Sequence, residues 1–293
     1  MLGVVNLDKP SGPTSHDMVA LLRRLTGMRR IGHAGTLDPL ASGVLPILVG
    51  PATRLSEELT AGEKRYEAVI RLGWRSETDD AEGTLERGDA PPPPPERVEE
   101  ELLTFVGTFE QRPPAYSARK QAGRTAHRAA RAGAPLELAP RRVTIDRIEL
   151  LELRPGDDRL DARIDLRCGP GTYVRSLARD LGERLGCGGY LLQLRRTEAA
   201  GLRVEEAVTP EQLETLAGEG RLEEALLPPA TLLRLPQLQL DEAAAERFLH
   251  GSTMRLPSAH VPGKHAIFAG ERLLGIGTVM NGRLQPNKVL EAV

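Results

Sequence analysis

Two stretches of the sequence have an apolar residue at every second position, and they constrain the fold more than any other feature. Residues 66–74 place Tyr66 and four other apolar side chains on one face, and residues 160–168 alternate apolar residues with Asp and Arg. This period of two is typical of β-strands that bury one face and expose the other. The sequence therefore predicts a half-buried sheet, with Tyr66 at the head of the buried face.

Segment 15–26 has apolar residues at helical spacing, so it is predicted to be an amphipathic helix. Ser15 is the expected N-cap and Gly27 the expected C-terminal stop. A loop rich in glycine and proline follows at residues 32–43 and leads into the apolar run 44–49. This loop is predicted to feed a buried strand or helix.

A second amphipathic helix is predicted after the turn formed by residues 169–171, with Thr172 as its cap. Its apolar positions end before Gly186, which is the expected stop. Tyr173 and Arg175 then lie in its first turn, at a junction between strand and helix. Such junctions often carry functional side chains.

The C-terminal sixty residues differ from the rest of the chain. Prolines break the sequence between residues 228 and 236, and beyond them come one short helix and several short strands. Asn281-Gly282 is a strong signal for a two-residue hairpin. We therefore predict an α+β domain over residues 1–232, with a mixed, largely antiparallel sheet, and a small β-barrel domain over residues 233–293.

The composition is that of a soluble globular protein, with 40% hydrophobic and 27% charged residues. The apolar run 44–49 is far shorter than the roughly 18 to 20 residues that a membrane-spanning helix needs. Asp8 and Lys9 come too early for a secretory signal. We expect a cytoplasmic protein with no membrane partner. Cys168 and Cys187 are expected to be reduced thiols, and no ligand spacing indicates a metal or another cofactor.

Charge is segregated along the chain although the net charge is only −2. Residues 111–147 hold nine basic and two acidic residues, a net of +7, and residues 75–101 hold ten acidic and three basic residues, a net of −7. The basic stretch is either a solvated face or a binding surface for RNA or another polyanion. The acidic stretch surrounds Pro91–Pro95, whose five rings are predicted to lie outside helices and central strands, so the stretch is predicted to be a surface excursion.

Asp38 is the sharpest candidate for chemistry, because Pro39 and three nearby glycines would hold it on a rigid and closely approaching backbone. The alternative is that Asp-Pro merely opens a turn. A carboxylate nucleophile must stay ionised, and Arg175 could supply the neighbouring positive charge. The spacing of these residues alone does not decide between the two interpretations.

Several ordered motifs resemble those of the TruB-type tRNA pseudouridine-55 synthases. They are NLDKPSG at 6–12, GHAGTLDPLASGVL at 32–45, KRY at 64–66, QRPPAYSARKQAG at 111–123, GTYVRSLARDLG at 171–182 and LLQLRRT at 191–197. The C-terminal sixty residues are similar to a PUA domain. The sequence departs from the family pattern at His127, where tyrosine is usual, and at Ala34, where threonine is commoner.

The resemblance implies a role for each matching position. Asp38 would be the nucleophile, Tyr66 would stack on the target uracil, and Arg175 would pair with Asp38. Leu194 would pack on the same base, and His33 would fill the space that the flipped nucleotide leaves. The other residues implied to support the site or hold RNA are Lys9, Tyr173, Arg119, Lys120 and Arg124.

The resemblance further implies isomerisation of uridine 55 in the T-arm of tRNA, by a monomer that needs no guide RNA, protein partner or cofactor. Extruding the base costs a few kcal/mol, which stacking worth roughly 1 to 3 kcal/mol per base can offset. The sequence leaves open whether Asp38 attacks C6 of uracil or C1′ of ribose. Two alternatives remain: a guide-RNA-dependent synthase of box H/ACA particles, and an RNA-binding or RNA-folding factor that needs no chemistry.

Overall fold

The computed structural model describes residues 1–116, 120–121, 124–125, 138–256 and 261–290. The strands in these ranges are β1 (Gly3–Lys9), β2 (Ile31–His33), β3 (Ser42–Val49), β4 (Lys64–Leu72), β5 (Trp74–Ser76), β6 (Leu85–Arg87), β7 (Gly107–Gln111), β8 (Lys120–Gln121), β9 (Arg124–Thr125), β10 (Arg141–Pro155), β11 (Leu160–Cys168), β12 (Gly189–Ala199), β13 (Leu202–Arg203), β14 (Gln237–Gln239), β15 (Met254–Arg255), β16 (Gly263–Ala269), β17 (Arg272–Met280) and β18 (Arg283–Val289).

The α-helices in the same ranges are α1 (Ser15–Thr26), α2 (Ser56–Thr60), α3 (Pro95–Leu103), α4 (Val174–Leu185), α5 (Pro210–Gly218) and α6 (Glu242–Leu249). Short 3₁₀ turns lie at Gly50–Leu55, Val204–Glu206, Leu222–Ala225 and Pro229–Leu232. No helix in the described part of the chain is long and apolar enough to cross a membrane.

The larger sheet has the strand order β1-β3-β12-β4-β11-β10-β7, with β2 beside β3 and β13 beside β12. Within the described chain, β3 and β12 form the one parallel pair of this sheet, and the other pairs are antiparallel. The predicted α+β class with a mixed, largely antiparallel sheet is therefore confirmed. Small hairpins β5–β6 and β8–β9 lie outside this sheet.

Strand β4 shows the predicted alternation without interruption, because every second side chain from Lys64 to Leu72 is buried. The charged residues on its other face pair across the sheet with β11. Arg65 contacts Asp165 at 2.9 Å, and Arg71 contacts Asp161 at 2.7 Å. The strand ends two residues earlier than predicted, since Gly73 has a φ of 97° and Trp74 begins β5.

Helices α1 and α4 pack on the buried face of the sheet, and together they form one apolar core. The predicted span of α1 is confirmed, but its N-cap is Thr14, whose side chain accepts from the amide of Asp17. The predicted cap of α4 is also off by one residue, because Tyr173 is its N-cap. The hydroxyl of Thr172 instead donates to the carbonyl of Gly169 at 3.1 Å. Both helices end at the predicted glycines.

The proline run ends inside a helix rather than before one. Pro95 is the first residue of α3, a position that proline tolerates because the amide there needs no partner within the helix. The prediction that all five rings lie outside helices was therefore wrong for Pro95. Pro91–Pro94 precede the helix and have no regular secondary structure.

The C-terminal strands form a separate curled sheet with the order β14-β16-β17-β18-β15, packed against α6, as the predicted small barrel requires. Glu58 of α2 joins this sheet to the preceding part of the chain. Its carboxylate contacts Lys264 at 2.9 Å and Lys288 at 2.6 Å. Leu55 packs beside them against Ile276 and other apolar residues of the second sheet. The boundary between residues 232 and 233 stays a prediction.

Candidate active site

The loop between β2 and β3 carries Asp38 and is held in place from beneath. The ammonium of Lys9 donates to the carbonyls of Pro10, Pro13 and Pro39, at 2.8, 2.7 and 3.3 Å. Ser15 of α1 also holds the loop, because its hydroxyl donates to the carbonyl of Leu37 and accepts from the amide of the same residue, both at 2.8 Å. The backbone on both sides of Asp38 is therefore tied to the first strand and helix, and its side chain remains 35% exposed.

Arg175 enters the site from the first turn of α4 and is buried. Its Nη2 lies 3.0 Å from Oδ2 of Asp38, and its Nη1 lies 3.2 Å from Oδ2 of Asp80. The same two nitrogens donate to the carbonyls of Tyr116 and Thr78, at 3.0 and 3.3 Å. One guanidinium therefore bridges two carboxylates, and its fork geometry suits such two-sided contact.

Gln111 fixes the point at which α4 begins. Its Oε1 accepts from the amide of Tyr173 at 2.9 Å, and its Nε2 donates to the carbonyl of Tyr173 at 3.0 Å. The hydroxyl of Ser176 donates to the carbonyl of Arg112 at 2.8 Å. The end of β7 is thus bound to the helix turn that carries Arg175.

Asp80 is a residue of this site that the sequence interpretation missed. It lies in the segment predicted to be a solvated excursion, yet its side chain is only 4% exposed. Its Oδ1 accepts from the hydroxyl of Thr78 and, at 3.1 Å, from the amide of Glu82. The available signal was the run Thr78-Asp79-Asp80 directly after a strand, since Thr and Asp side chains commonly bond local backbone in turns.

A pocket of about 340 Å³ opens beside Asp38 and Arg175. Tyr66 and Leu194 line it from neighbouring strands β4 and β12, and Tyr173 lines it from the start of α4. Burial raises the pKa of Tyr66 to about 12, so its phenol is neutral at pH 7. The pocket thus presents an aromatic ring, an aliphatic side chain and a carboxylate paired with arginine.

Other predicted site residues lie elsewhere. Lys9 is buried beneath the loop and does not line the pocket. His33 lies on β2, also outside the pocket lining, and its Nδ1 is buried without a hydrogen-bond partner among the residues that the structure describes. Burial, followed by the charges of Arg196 and His16, lowers the pKa of His33, which favours the neutral ring at pH 7.

The RNA-contact predictions concern a part of the chain that is described only in fragments. Lys120 lies on strand β8 and Arg124 on strand β9 of the short hairpin. Arg119 and His127 lie outside the described residues. A larger cavity of about 440 Å³ lies between residues 57–64 and 232–235 and does not include Asp38. Within the described ranges, no three His, Cys, Asp or Glu side chains cluster as metal ligands do.

The buried Lys9 makes a testable contribution to stability. Burial lowers its pKa from 10.5 to about 8, so between these pH values the folded state binds fewer protons than the unfolded state. Raising the pH through this window therefore stabilises the fold, by up to about 1.4 kcal/mol per pH unit. Between pH 8 and 10.5, the free energy of unfolding of the wild type should therefore increase relative to that of Lys9→Met. Urea unfolding at a series of pH values measures both.

Lys64→Met should reproduce the effect, since burial also lowers the pKa of Lys64 to about 8. Parallel curves for the wild type and Lys9→Met over the whole window would contradict this assignment.

Three family models match consecutive parts of the chain. They are the TruB family pseudouridylate synthase N-terminal domain over residues 23–174, the tRNA pseudouridylate synthase B C-terminal domain over 175–234, and the pseudouridine synthase II TruB C-terminal model over 236–290. The chain is 42% identical to tRNA pseudouridine synthase B of Acaryochloris marina (strain MBIC 11017), with 100% of both chains covered. The chain belongs to the TruB family.

Further relatives agree with this membership. The TruB-family chain is 43% identical to tRNA pseudouridine synthase B of Dechloromonas aromatica (strain RCB), covering 96% of this chain and 93% of that one. Among solved structures, it resembles a chain of a Cbf5-Nop10-Gar1 complex with a TM-score of 0.76 at 27% identity, covering 99% of this chain and 85% of that one. The resemblance to the pseudouridine synthase fold and to a PUA-like C-terminal domain is confirmed.

Proposed function

We propose that the chain converts uridine 55 in the T-loop of tRNA to pseudouridine, with Asp38 as the nucleophile. The single observation that carries the proposal is the contact of 3.0 Å between Asp38 and Arg175 at a pocket lined by Tyr66. The names of the relatives support tRNA as the substrate class. We place the reaction in the cytoplasm and assign it to a monomer without a protein partner or guide RNA.

The pocket chemistry suits an extruded uracil. Tyr66 supplies a flat, neutral ring on which the base stacks, and Leu194 packs against the base from the next strand. Asp38, whose carboxylate contacts Arg175 at 3.0 Å, attacks either C6 of uracil or C1′ of ribose, and the N1–C1′ bond breaks. The base rotates and C5 bonds to C1′. The hydrogen on C5 leaves as a proton and N1 takes up a proton. The carboxylate is released either from C1′, as C5 bonds there, or from C6, as the double bond between C5 and C6 is restored.

The remaining predicted roles belong to RNA binding and to support of the site. His33 inserts into the space that the flipped nucleotide vacates, and its neutral ring suits stacking between bases. Lys9 supports the nucleophile loop from below, which its three carbonyl contacts favour. Tyr173 contacts the substrate at the pocket wall.

Tritium release tests the proposed reaction directly. The purified chain is incubated, with EDTA present, with an unmodified tRNA transcript that carries tritium at uracil C5. Release should equal one tritium per tRNA and map to position 55, because C5 loses its hydrogen in forming the new bond. A transcript with cytidine at position 55 is the control. Tight tRNA binding without release would overturn the proposal.

A guide-dependent activity is the second candidate, because one neighbour in structure is a chain of an H/ACA RNP bound to a substrate RNA, with a TM-score of 0.75 at 25% identity. Turnover by the chain alone on free tRNA would exclude it. Restoration of turnover by an added guide RNA would support it.

Asp80→Asn should lower the rate of turnover by about 100-fold, as expected when a catalytic group is displaced by about 1 Å. Asparagine keeps the shape of Asp80 but removes the charge that holds Nη1 of Arg175, so the guanidinium is free to shift. The single-turnover rate at saturating tRNA measures the loss. Asp161→Asn, on the opposite face of the sheet, is the matched control and should retain activity. A wild-type rate for Asp80→Asn would exclude a positioning role.

The basic stretch should contribute to RNA affinity. Replacing Arg119, Lys120 and Arg124 with glutamine should weaken tRNA binding and flatten its salt dependence by about 0.7 to 0.9 units of slope per lost phosphate contact. The measurement is the dissociation constant over a series of salt concentrations. An unchanged slope would return this stretch to the solvated-face interpretation.

A further inference from the structure

Arg196 is a buried arginine that none of the roles above uses. It is 1% exposed, although arginine is almost never fully buried without a charged partner. Among the described residues it forms no ion pair, whereas its strand neighbour Arg195 contacts Asp8 at 2.7 Å on the other face of the sheet. The charge of Arg196 therefore has to be stabilised by other groups.

Backbone carbonyls supply that stabilisation, and they come from both sides of the nucleophile. Nε of Arg196 donates to the carbonyl of Val44 at 2.7 Å, and Nη2 donates to the carbonyl of Gly35 at 2.9 Å. A longer contact of 3.5 Å joins Nη1 to the carbonyl of Thr36. One guanidinium thus spans the loop before Asp38 and the strand after it.

The position of Arg196 in the sheet links the same side chain to Tyr66. Arg196 is the direct partner of Tyr66 across β12 and β4, and of Gly43 across β12 and β3. A methyl group at Gly43 would lie 2.2 Å from the carbonyl of Arg196, so the strands approach as closely as glycine allows. The charge and hydrogen bonding of Arg196 also act on the phenol of Tyr66, where they oppose the burial that raises its pKa.

We propose that Arg196 is a positioning residue that holds the Asp38 loop and the Tyr66 ring in register through one buried guanidinium. This inference rests on the proposed function, because it concerns the same two catalytic groups. Arginine is required, since its planar fork reaches carbonyls on both the loop and β3, whereas a lysine ammonium is a single compact donor. Loss of the fork leaves the pocket in place but lets the nucleophile and the stacking ring move independently.

Three variants test the inference with the tritium-release assay. Arg196→Gln should lower kcat by about 100-fold at saturating tRNA, the cost of a displacement of about 1 Å, while the dissociation constant for tRNA stays unchanged. Arg196→Lys should lose activity to a lesser degree. Arg71→Gln breaks an ion pair on the opposite face of the sheet and is the control for stability. It should lower the melting temperature without lowering kcat.

A second measurement does not depend on turnover. The chain contains five lysines, so their side-chain carbon signals can be assigned and titrated by NMR. Burial is the main cause of the lowered pKa of Lys9 and Lys64, and the charge of Arg196 lowers both further, so both pKa values should rise part of the way in Arg196→Gln and stay as they are in Arg196→Lys. If the two substitutions only disturbed the structure, the pKa values of the two lysines would not differ between Arg196→Gln and Arg196→Lys in this way.

The outcomes are distinguishable. Wild-type kcat in a folded Arg196→Gln or Arg196→Lys overturns the inference while leaving the proposed function intact. Failure of the wild-type chain to release tritium overturns the proposed function, and the lysine titrations still test the placement of the buried charge. If Arg196→Gln does not fold, the lysine variant decides, because it keeps the charge and removes the fork.

Discussion

Asp38→Asn should abolish turnover, with a rate at least about 10⁴-fold below that of the wild type, as expected when a group that forms a covalent intermediate is removed. Asparagine has nearly the same size and can still accept a hydrogen bond from Arg175, so the fold and the pocket should persist. It cannot form the covalent bond that the proposed reaction requires. The measurement is tritium release in a single turnover with enzyme in excess.

The binding of tRNA separates chemistry from structure in this variant. Asp38 is partly exposed and carries a negative charge, so its neutralisation should leave tRNA affinity unchanged or slightly improved. Asp161→Asn is the matched control, since it removes a carboxylate of the same sheet that contacts Arg71. Substantial turnover by Asp38→Asn, with the control fully active, would remove Asp38 from the role of nucleophile.

Arg175→Gln should give the second largest loss, about 10³-fold in rate, comparable to the removal of a strong electrostatic contact from an enzyme site. It should also destabilise the fold by about 3 to 5 kcal/mol, because the buried Asp80 loses its cationic partner. Single-turnover kinetics and urea unfolding measure the two effects separately. Both measurements are made at a temperature where the variant is folded.

A double variant tells these two effects of Arg175 apart. Arg175→Gln combined with Asp80→Asn removes both buried charges, so it should recover part of the lost stability and none of the lost activity. Arg175→Lys keeps the charge but cannot bridge both carboxylates equally well, and it should be intermediate in rate. A fully active Arg175→Gln would show that Asp38 needs no cationic partner.

The sequence was informative about strands and about residues in compact motifs. Alternation identified β4 and β11 because apolar side chains at every second position of each strand are buried, and this period can be read without knowledge of the partner strand. Asp38 was identified because proline restricts the backbone beside it and glycine permits close approach of the backbone. The structure places Asp38 and Arg175 in contact, as expected, whereas their catalytic roles remain proposals.

Asp80 shows why other features were missed. The net charge of −7 over residues 75–101 describes the segment as a whole, and an average of this kind cannot reveal that one carboxylate folds inward onto α4. Its partner Arg175 is 95 residues away, so no local period records the pairing. The N-cap of α1 was displaced by one residue for a related reason, because the hydroxyl of Ser15 bonds to the Asp38 loop instead of to the end of the helix.

The place of β12 in the sheet has a consequence for how the chain becomes active during synthesis. This strand starts at residue 189, yet it is inserted between β3 and β4, which end at residues 49 and 72. The ribosome therefore releases the loop with Asp38 and the strand with Tyr66 long before the strand that joins them. Contacts between such distant segments form slowly because the intervening chain must first be ordered. We expect a nascent chain to remain without a functional pocket until β12 has emerged and docked, so that catalytic competence arises late and all at once.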